Sequence, residues 1–275
     1  MQAKNILMIK ECKILSEISR GGQKVVFLAE HPMEGKVVVK KGEIRSFTSL
    51  ERIKREVELL STLTSPFYPR QFQFNIDIKS KKFEIVEEYI EGKTLRGSFD
   101  KFKSKDKIFK LLQNLVLGLK VIWDENIVHR DLKPENIIIR PNSTPCIIDL
   151  GIARFLDLEA LTKTISPMGP CTPVYASPEQ LANKKQLIDP RTDFFTLGII
   201  ALELYIGTHP FDPNLNQNLY SIVENIAQIN FMTHSASGIA DSSMDEFANK
   251  TLRAQPYDRF RNHELISKFI DQQLL

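Results

Sequence analysis

Apolar and polar positions along this chain change their period once. Through residues 12–90 the apolar residues come in short runs rich in β-branched side chains: Val25-Val26-Phe27-Leu28, Lys36-Val37-Val38-Val39-Lys40 and Phe83-Glu84-Ile85-Val86. Gly21-Gly22, His31-Pro32 and Glu34-Gly35 punctuate these runs, so the pattern predicts strands joined as hairpins. One helical spacing interrupts them: Leu50, Ile53, Val57 and Leu60 lie three or four apart and predict a helix around residues 49–63. After Gly92 the helical period takes over. Ile108, Leu111, Leu112, Leu115, Leu119, Ile122 and Trp123 trace one long amphipathic face. Residues 194–206 are apolar on nearly every side and predict a buried helix, and residues 218–229 and 244–253 predict surface helices. The order of elements predicts an α+β fold. A small β-rich lobe (about 12–90) precedes a larger helical lobe (about 91–275), with residues 88–93 as the connection.

Composition narrows the function classes. At 275 residues, with 42% hydrophobic and 26% charged residues, the chain can bury a sizeable core, which excludes a disordered or collagenous protein. Lys and Arg number 37 against 34 Asp and Glu, and a net +3 gives no support to a nucleic-acid binder. Cys12, Cys146 and Cys171 are odd in number and widely spaced, so neither a disulfide framework nor a structural zinc site is expected. The first residues mix charges among apolar ones, and residues 194–206 contain Glu203 and fall short of the roughly 20 needed to cross a bilayer. With no lipidation signal either, the expectation is a cytoplasmic protein without a membrane span.

The chemistry is concentrated in His129-Arg130-Asp131-Leu132-Lys133-Pro134-Glu135-Asn136, followed by the strand Cys146-Ile147-Ile148 and then Asp149-Leu150-Gly151. This run resembles the catalytic loop and metal-binding turn of the eukaryotic-type (Hanks-type) serine/threonine protein kinases. Matching elements continue in the family's order from about residue 15 to 270. The resemblance implies a single bilobal kinase domain over residues 1–275 that transfers the γ-phosphate of ATP to protein Ser/Thr hydroxyls. Such a transfer asks a protein for in-line positioning and for charge neutralisation. Under the resemblance Asp131 is the base that receives the hydroxyl proton. Lys133 reaches the transferring phosphate. Asn136 and Asp149 are oxygen ligands for Mg2+, with Mn2+ as an alternative.

Other segments carry over residue by residue. Alternation puts Val38 and Lys40 on one strand face; by resemblance Val38 touches adenine and Lys40 reaches the α and β phosphates. Helical spacing puts Glu56 on the face of Ile53 and Leu60, with Glu58 toward water, and the resemblance makes Glu56 the carboxylate that pairs with Lys40. Ile18-Ser19-Arg20-Gly21-Gly22-Gln23-Lys24-Val25-Val26 aligns with the family's glycine-rich loop but keeps only Gly21 and Val26; Ser19 and Lys24 replace the outer glycines, which weakens the expected grip on phosphate. Ile18, Gly21 and Val26 are therefore the nucleotide-binding candidates there. Leu150 replaces the family's phenylalanine and stays apolar. Backbone groups of Glu88, Tyr89 and Ile90 would meet the adenine edge. That leaves Glu87, an acid, lining the back of the pocket, either reaching out to solvent or paired with a polar group.

Cys171-Thr172-Pro173-Val174-Tyr175-Ala176-Ser177-Pro178-Glu179 resembles the family's peptide-docking segment. The resemblance pairs Glu179 with Arg259 as a buried structural ion pair and makes Asp193 the brace of the catalytic loop. It makes Arg130 an anchor for a phosphorylated loop, with Thr162, Thr164 and Ser166 as candidate acceptors. Cys171, in the same stretch, is read as a bland small residue rather than a redox switch. The expected partners are ATP and a protein substrate; oligomeric state has no signal. The rival expectation is a pseudokinase that binds nucleotide or partners without turnover, supported by Ser19 and Lys24. A small-molecule phosphotransferase is disfavoured by the 172–179 segment.

Overall fold

The computed structural model describes residues 11–20, 24–44, 65–150, 154–155, 171–212, 218–232 and 242–275, together with positions 50, 51, 54, 58, 61, 63 and 215. It divides into two compact units, 1–91 and 92–275.

Unit 1 is a five-stranded antiparallel sheet in the order β1-β2-β3-β5-β4, built from β1 (Lys13–Arg20), β2 (Lys24–His31), β3 (Gly35–Glu43), β4 (Gln71–Asp77) and β5 (Lys82–Glu88). The β2–β3 hairpin closes at His31, whose Nδ1 accepts the N–H groups of Met33 and Glu34, and at Gly35, whose positive φ of 68° suits a residue without a Cβ. Residues opposite one another share a face. Val39 opposes Val86 and Phe27, and with Ala29 and Val37 they form one apolar layer against Phe72. Phe83 and Ile85 form the other, with Phe74 and Ile76 beside them. β1 and β4 escaped the pattern reading because neither carries a continuous apolar run; β1 is exposed along its whole length and is interrupted by two register shifts. Positions 50, 51, 54, 58 and 61 are helical, as the spacing predicts, and Glu58 is exposed.

Unit 2 is dominated by helices: α1 (Lys105–Trp123), the short α2 (Pro178–Leu181), α3 (Pro190–Ile206), α4 (Leu219–Gln228), α5 (Ser242–Thr251) and α6 (His263–Gln272). Every residue of the predicted α1 stripe is buried. The apolar α3 is buried through most of its length, and its start is set by Asp189, which caps the Arg191 N–H ahead of Pro190 at the first helical position. Gly207, with φ of 81°, ends it. Gly198 lets α5 approach: a Cβ there would sit 2.2 Å from Thr251 Oγ1. Two small sheets, β6–β8–β9 (Lys93–Thr94, Ile137–Ile139, Pro145–Ile147) and β7–β10 (Ile127–Val128, Arg154–Phe155), carry the loops between helices. Among the described residues no helix is long and apolar enough to cross a membrane.

Candidate active site

The loop 129–136 lies between β7 and β8 and has no ladder of its own to hold it. A fully buried acid supplies the support. Asp193 Oδ2 accepts from Trp123 Nε1 at 2.8 Å and from the His129 N–H at 3.0 Å, while Oδ1 accepts from the Arg130 N–H at 3.0 Å. Burial pushes the Asp193 carboxyl above its ordinary value, and the three N–H donors pull the other way, toward the carboxylate. Arg130 adopts a left-handed φ of 69°, costly for a residue with a Cβ. Its carbonyl accepts from Gln180 Nε2 at 2.7 Å, so both its peptide groups are held from outside the loop. His129 is neutral. Burial pushes its pKa down, and its Nδ1 accepts the Asp131 N–H at 3.3 Å, which a protonated nitrogen could not do.

Asp131 is therefore presented on a fixed backbone. Its Oδ1 accepts from the Thr172 hydroxyl at 2.6 Å and the Thr172 N–H at 2.9 Å, and its Oδ2 lies 3.3 Å from Lys133 Nζ. Lys133 also donates to Thr172 Oγ1 at 2.7 Å, closing a triangle of carboxylate, hydroxyl and ammonium. Asn136 donates its amide nitrogen to the Asp131 carbonyl at 2.9 Å, which turns the amide oxygen into the side offered to a cation. The β8–β9 hairpin brings in the second candidate oxygen ligand. Ile137 opposes Ile147, the Ile148 N–H donates to the Asn136 carbonyl at 2.9 Å, and Asp149 follows at once, with a left-handed φ of 68°. An amide oxygen and a carboxylate make a hard donor set suited to Mg2+ completed by water or phosphate oxygens. No group of three or more His, Cys, Asp or Glu able to hold a metal by themselves occurs among the described residues.

The 172–179 segment rests on buried ion pairs. Arg259 meets Glu179 in a fork, 2.8 Å and 2.7 Å, with side chains 0% and 1% exposed, and Thr192 adds a bond to Glu179 at 2.9 Å. Sequence reasoning missed a second cluster. Arg96 bonds Glu203 at 2.6 Å, Glu135 at 2.8 Å and the Tyr175 hydroxyl, which itself donates to Glu203 at 2.6 Å. Its members are up to 107 positions apart, and no local pattern connects them. Burial pushes the Cys171 thiol up to about 11, which favours the thiol over the thiolate at neutral pH.

In unit 1, Lys40 and Val38 share a face as expected, and both are buried. Lys40 Nζ pairs with Glu87 Oε1 at 2.8 Å, which resolves the sequence's open alternative for Glu87 in favour of pairing. Strand register could have found this, since Glu87 opposes Val38 and so stands diagonal to Lys40. Val26 opposes Lys40 on β2 and is half-buried, whereas Ile18 on β1 is 51% exposed. The Glu88 N–H donates to the Arg70 carbonyl at 2.8 Å, so that group is engaged within the sheet rather than offered to an adenine edge. Tyr89 is half-buried beneath Lys36, and Ile90 is buried. Gly21, Glu56, Thr162, Thr164 and Ser166 lie outside the described residues.

A family model described as the protein kinase domain matches residues 12–270. The serine/threonine-protein kinase pkn2 of Myxococcus xanthus is 32% identical over 219 residues, covering 76% of this chain and 26% of that protein. The serine/threonine-protein kinase ATG1a of Arabidopsis thaliana is 28% identical over 258 residues, 91% of this chain and 40% of that protein. An Aurora kinase of Saccharomyces cerevisiae is 26% identical over 265 residues, 93% of this chain and 67% of that protein. The chain thus spans well under half the length of the first two relatives.

Proposed function

This chain belongs to the protein kinase domain family, and from that premise we propose that it is an ATP-dependent serine/threonine protein kinase catalytic domain acting on a protein substrate with Mg2+. The observation that carries the reading is the triangle of Asp131, Lys133 and Thr172. It sets a carboxylate and an ammonium side by side, where a hydroxyl must lose a proton while negative charge builds on a transferring phosphoryl group. The Thr172 hydroxyl occupies, on Asp131, the kind of place an acceptor Ser or Thr hydroxyl would take.

In this mechanism Asp131 orients the acceptor hydroxyl and receives its proton. Lys133 balances charge on the phosphoryl oxygens as the bond to the leaving diphosphate lengthens. Asn136 and Asp149 would hold the metal ion, which supplies charge neutralisation on the phosphates when bound. Lys40 would take the α and β phosphates; Glu87 meets its ammonium in the structure, and the helix-borne Glu56 would be a second carboxylate for it. Ile18, Gly21, Val26 and Val38 would cover the nucleotide, and Glu88, Tyr89 and Ile90 would line its adenine edge.

Transfer of label from radiolabelled ATP to a generic protein in Mg2+, comparing wild type with Asp131→Asn, tests this. Loss of a general base is expected to lower kcat by about 10²–10⁴-fold with melting unchanged. Equal rates in the two proteins would remove Asp131 from its role, and label in neither would favour a binding module without turnover.

A further inference from the structure

The buried Lys40–Glu87 pair is a feature the proposed mechanism does not use. Alternation and register put Val26, Leu28, Val38, Lys40, Ile85 and Glu87 on one face of the unit 1 sheet. Around the pair that face is apolar at Val26, Leu28, Val38 and Ile85, while Gln71 stands opposite Glu87 on β4. Lys40 opposes Ile85 and Glu87 opposes Val38, so the two charged residues are diagonal neighbours, a spacing that long side chains span. Their heads meet at 2.8 Å with each side chain 5% exposed. At that depth either charge alone would carry a large desolvation cost, which the 2.8 Å contact between them helps to offset.

We propose that Glu87 is a positioning residue for Lys40: through the β3–β5 register it holds the ammonium charged and in place for the α and β phosphates. The inference rests on the reading of Lys40 given above. Its content is that the placement of the nucleotide lysine is built into the strand ladder of unit 1 itself. Glu87 touches no reacting atom. It acts through Lys40, by fixing the direction of the ammonium and by favouring its charged form.

The test is a double-mutant cycle on MgATP affinity, measured by titrating the full chain with a fluorescent trinitrophenyl-ATP in Mg2+ and displacing it with ATP. Glu87→Gln is expected to weaken affinity about tenfold, the scale of one charge-assisted hydrogen bond, and by less than twofold in a Lys40→Met background. Glu87→Asp, which retains the carboxylate, is expected to recover part of the loss. Equal or tighter affinity in Glu87→Gln overturns the proposal, and so does an equal loss in both backgrounds, because Glu87 would then act by some route other than Lys40. Should Glu87→Gln fail to melt cooperatively, the apolar double replacement Lys40→Met with Glu87→Met decides. Affinity matching that of Lys40→Met supports the proposal, and weaker affinity overturns it. Unchanged affinity in Lys40→Met refutes the phosphate role of Lys40 and the proposal with it, whereas loss in Lys40→Met with none in Glu87→Gln refutes the proposal alone.

Discussion

The two units hold their candidate functional side chains by different means. In unit 1, Lys40 and Glu87 are fixed by the backbone ladder beneath them, and each residue's place follows from strand register. In unit 2, Asp131, Lys133 and Asn136 sit on a loop without such a ladder, and side chains from distant elements do the work instead. Asp193 on α3 grips the loop backbone from 64 positions away, and Gln180 on α2 holds Arg130. A loop that must turn left-handed at Arg130 carries strain that the external bonds from Asp193 and Gln180 offset. Buried acids in unit 2 are accordingly scaffolding, whereas Glu87 in unit 1 meets the candidate nucleotide lysine, Lys40.

The largest stability effect that could break this contrast is at Glu179. Glu179→Gln would leave the buried Arg259 with no full counter-charge, and removing one partner of such a pair costs about 3–5 kcal/mol. For a domain of this size that is a fall in Tm of roughly 6–20 °C, measured by calorimetry. Lys41→Met in unit 1, which breaks a more exposed pair with Glu84, is expected to cost about 1 kcal/mol or less. Similar losses in the two variants would erase the distinction.

Next in size is Asp193→Asn. An amide cannot accept from three donors on both of its heads, so at least one of the Trp123, His129 and Arg130 N–H groups loses its acceptor, at about 1–3 kcal/mol. Because the loop carries Asp131, kcat should fall by about tenfold or more while KM for ATP changes little. Trp123 is the only tryptophan in the chain, so its emission reports the lost bond directly. An unchanged spectrum together with unchanged kcat would mean that the brace does not position the base.

Thr172→Val sharpens the comparison within the triangle itself. It removes the hydroxyl that links Lys133 to Asp131 but keeps the Thr172 N–H bond to the carboxylate, so kcat should fall by about tenfold, with Thr172→Ser recovering it. Equal rates for Val and Ser at this position would show the hydroxyl to be idle.

What was legible in the sequence follows the same division. Periodicity exposes whatever buries one face, so the α1 stripe, the buried α3 and the strands β2, β3 and β5 could be read from apolar spacing. β1 and β4 could not, because sheet edges bury too little to leave a pattern. The loop residues Asp131 and Asn136 and the Glu179–Arg259 pair were legible through their resemblance to a family, not through physics alone. The bonds from Gln180 and Arg96 were not legible at all. A side chain reaching a partner dozens of positions away leaves no periodic trace, and only the fold brings the two together.

The smallest effect concerns pH. His209 is half-buried against Tyr175 and Phe211; its Nε2 bonds the Val174 carbonyl at 2.9 Å and its Nδ1 accepts the Phe211 N–H at 3.3 Å, which fixes the neutral tautomer. Burial pushes its pKa below the ordinary value, with Glu203 and Asp212 pulling the other way and Arg96 reinforcing the fall. In the window between that lowered value and about 6.5, the unfolded chain binds a proton that the folded chain does not. Stability is therefore full above about 6.5 and is lost as pH falls through the window, with a slope of up to about 1.4 kcal/mol per pH unit for this one group. His129, also held neutral by burial, contributes in the same direction, so His209→Gln should reduce the slope of Tm against pH below neutrality without abolishing it. A variant whose Tm falls with acid as steeply as wild type would show that His209 takes up its proton in the fold as readily as in water, and that the 172–179 segment does not depend on its neutral form.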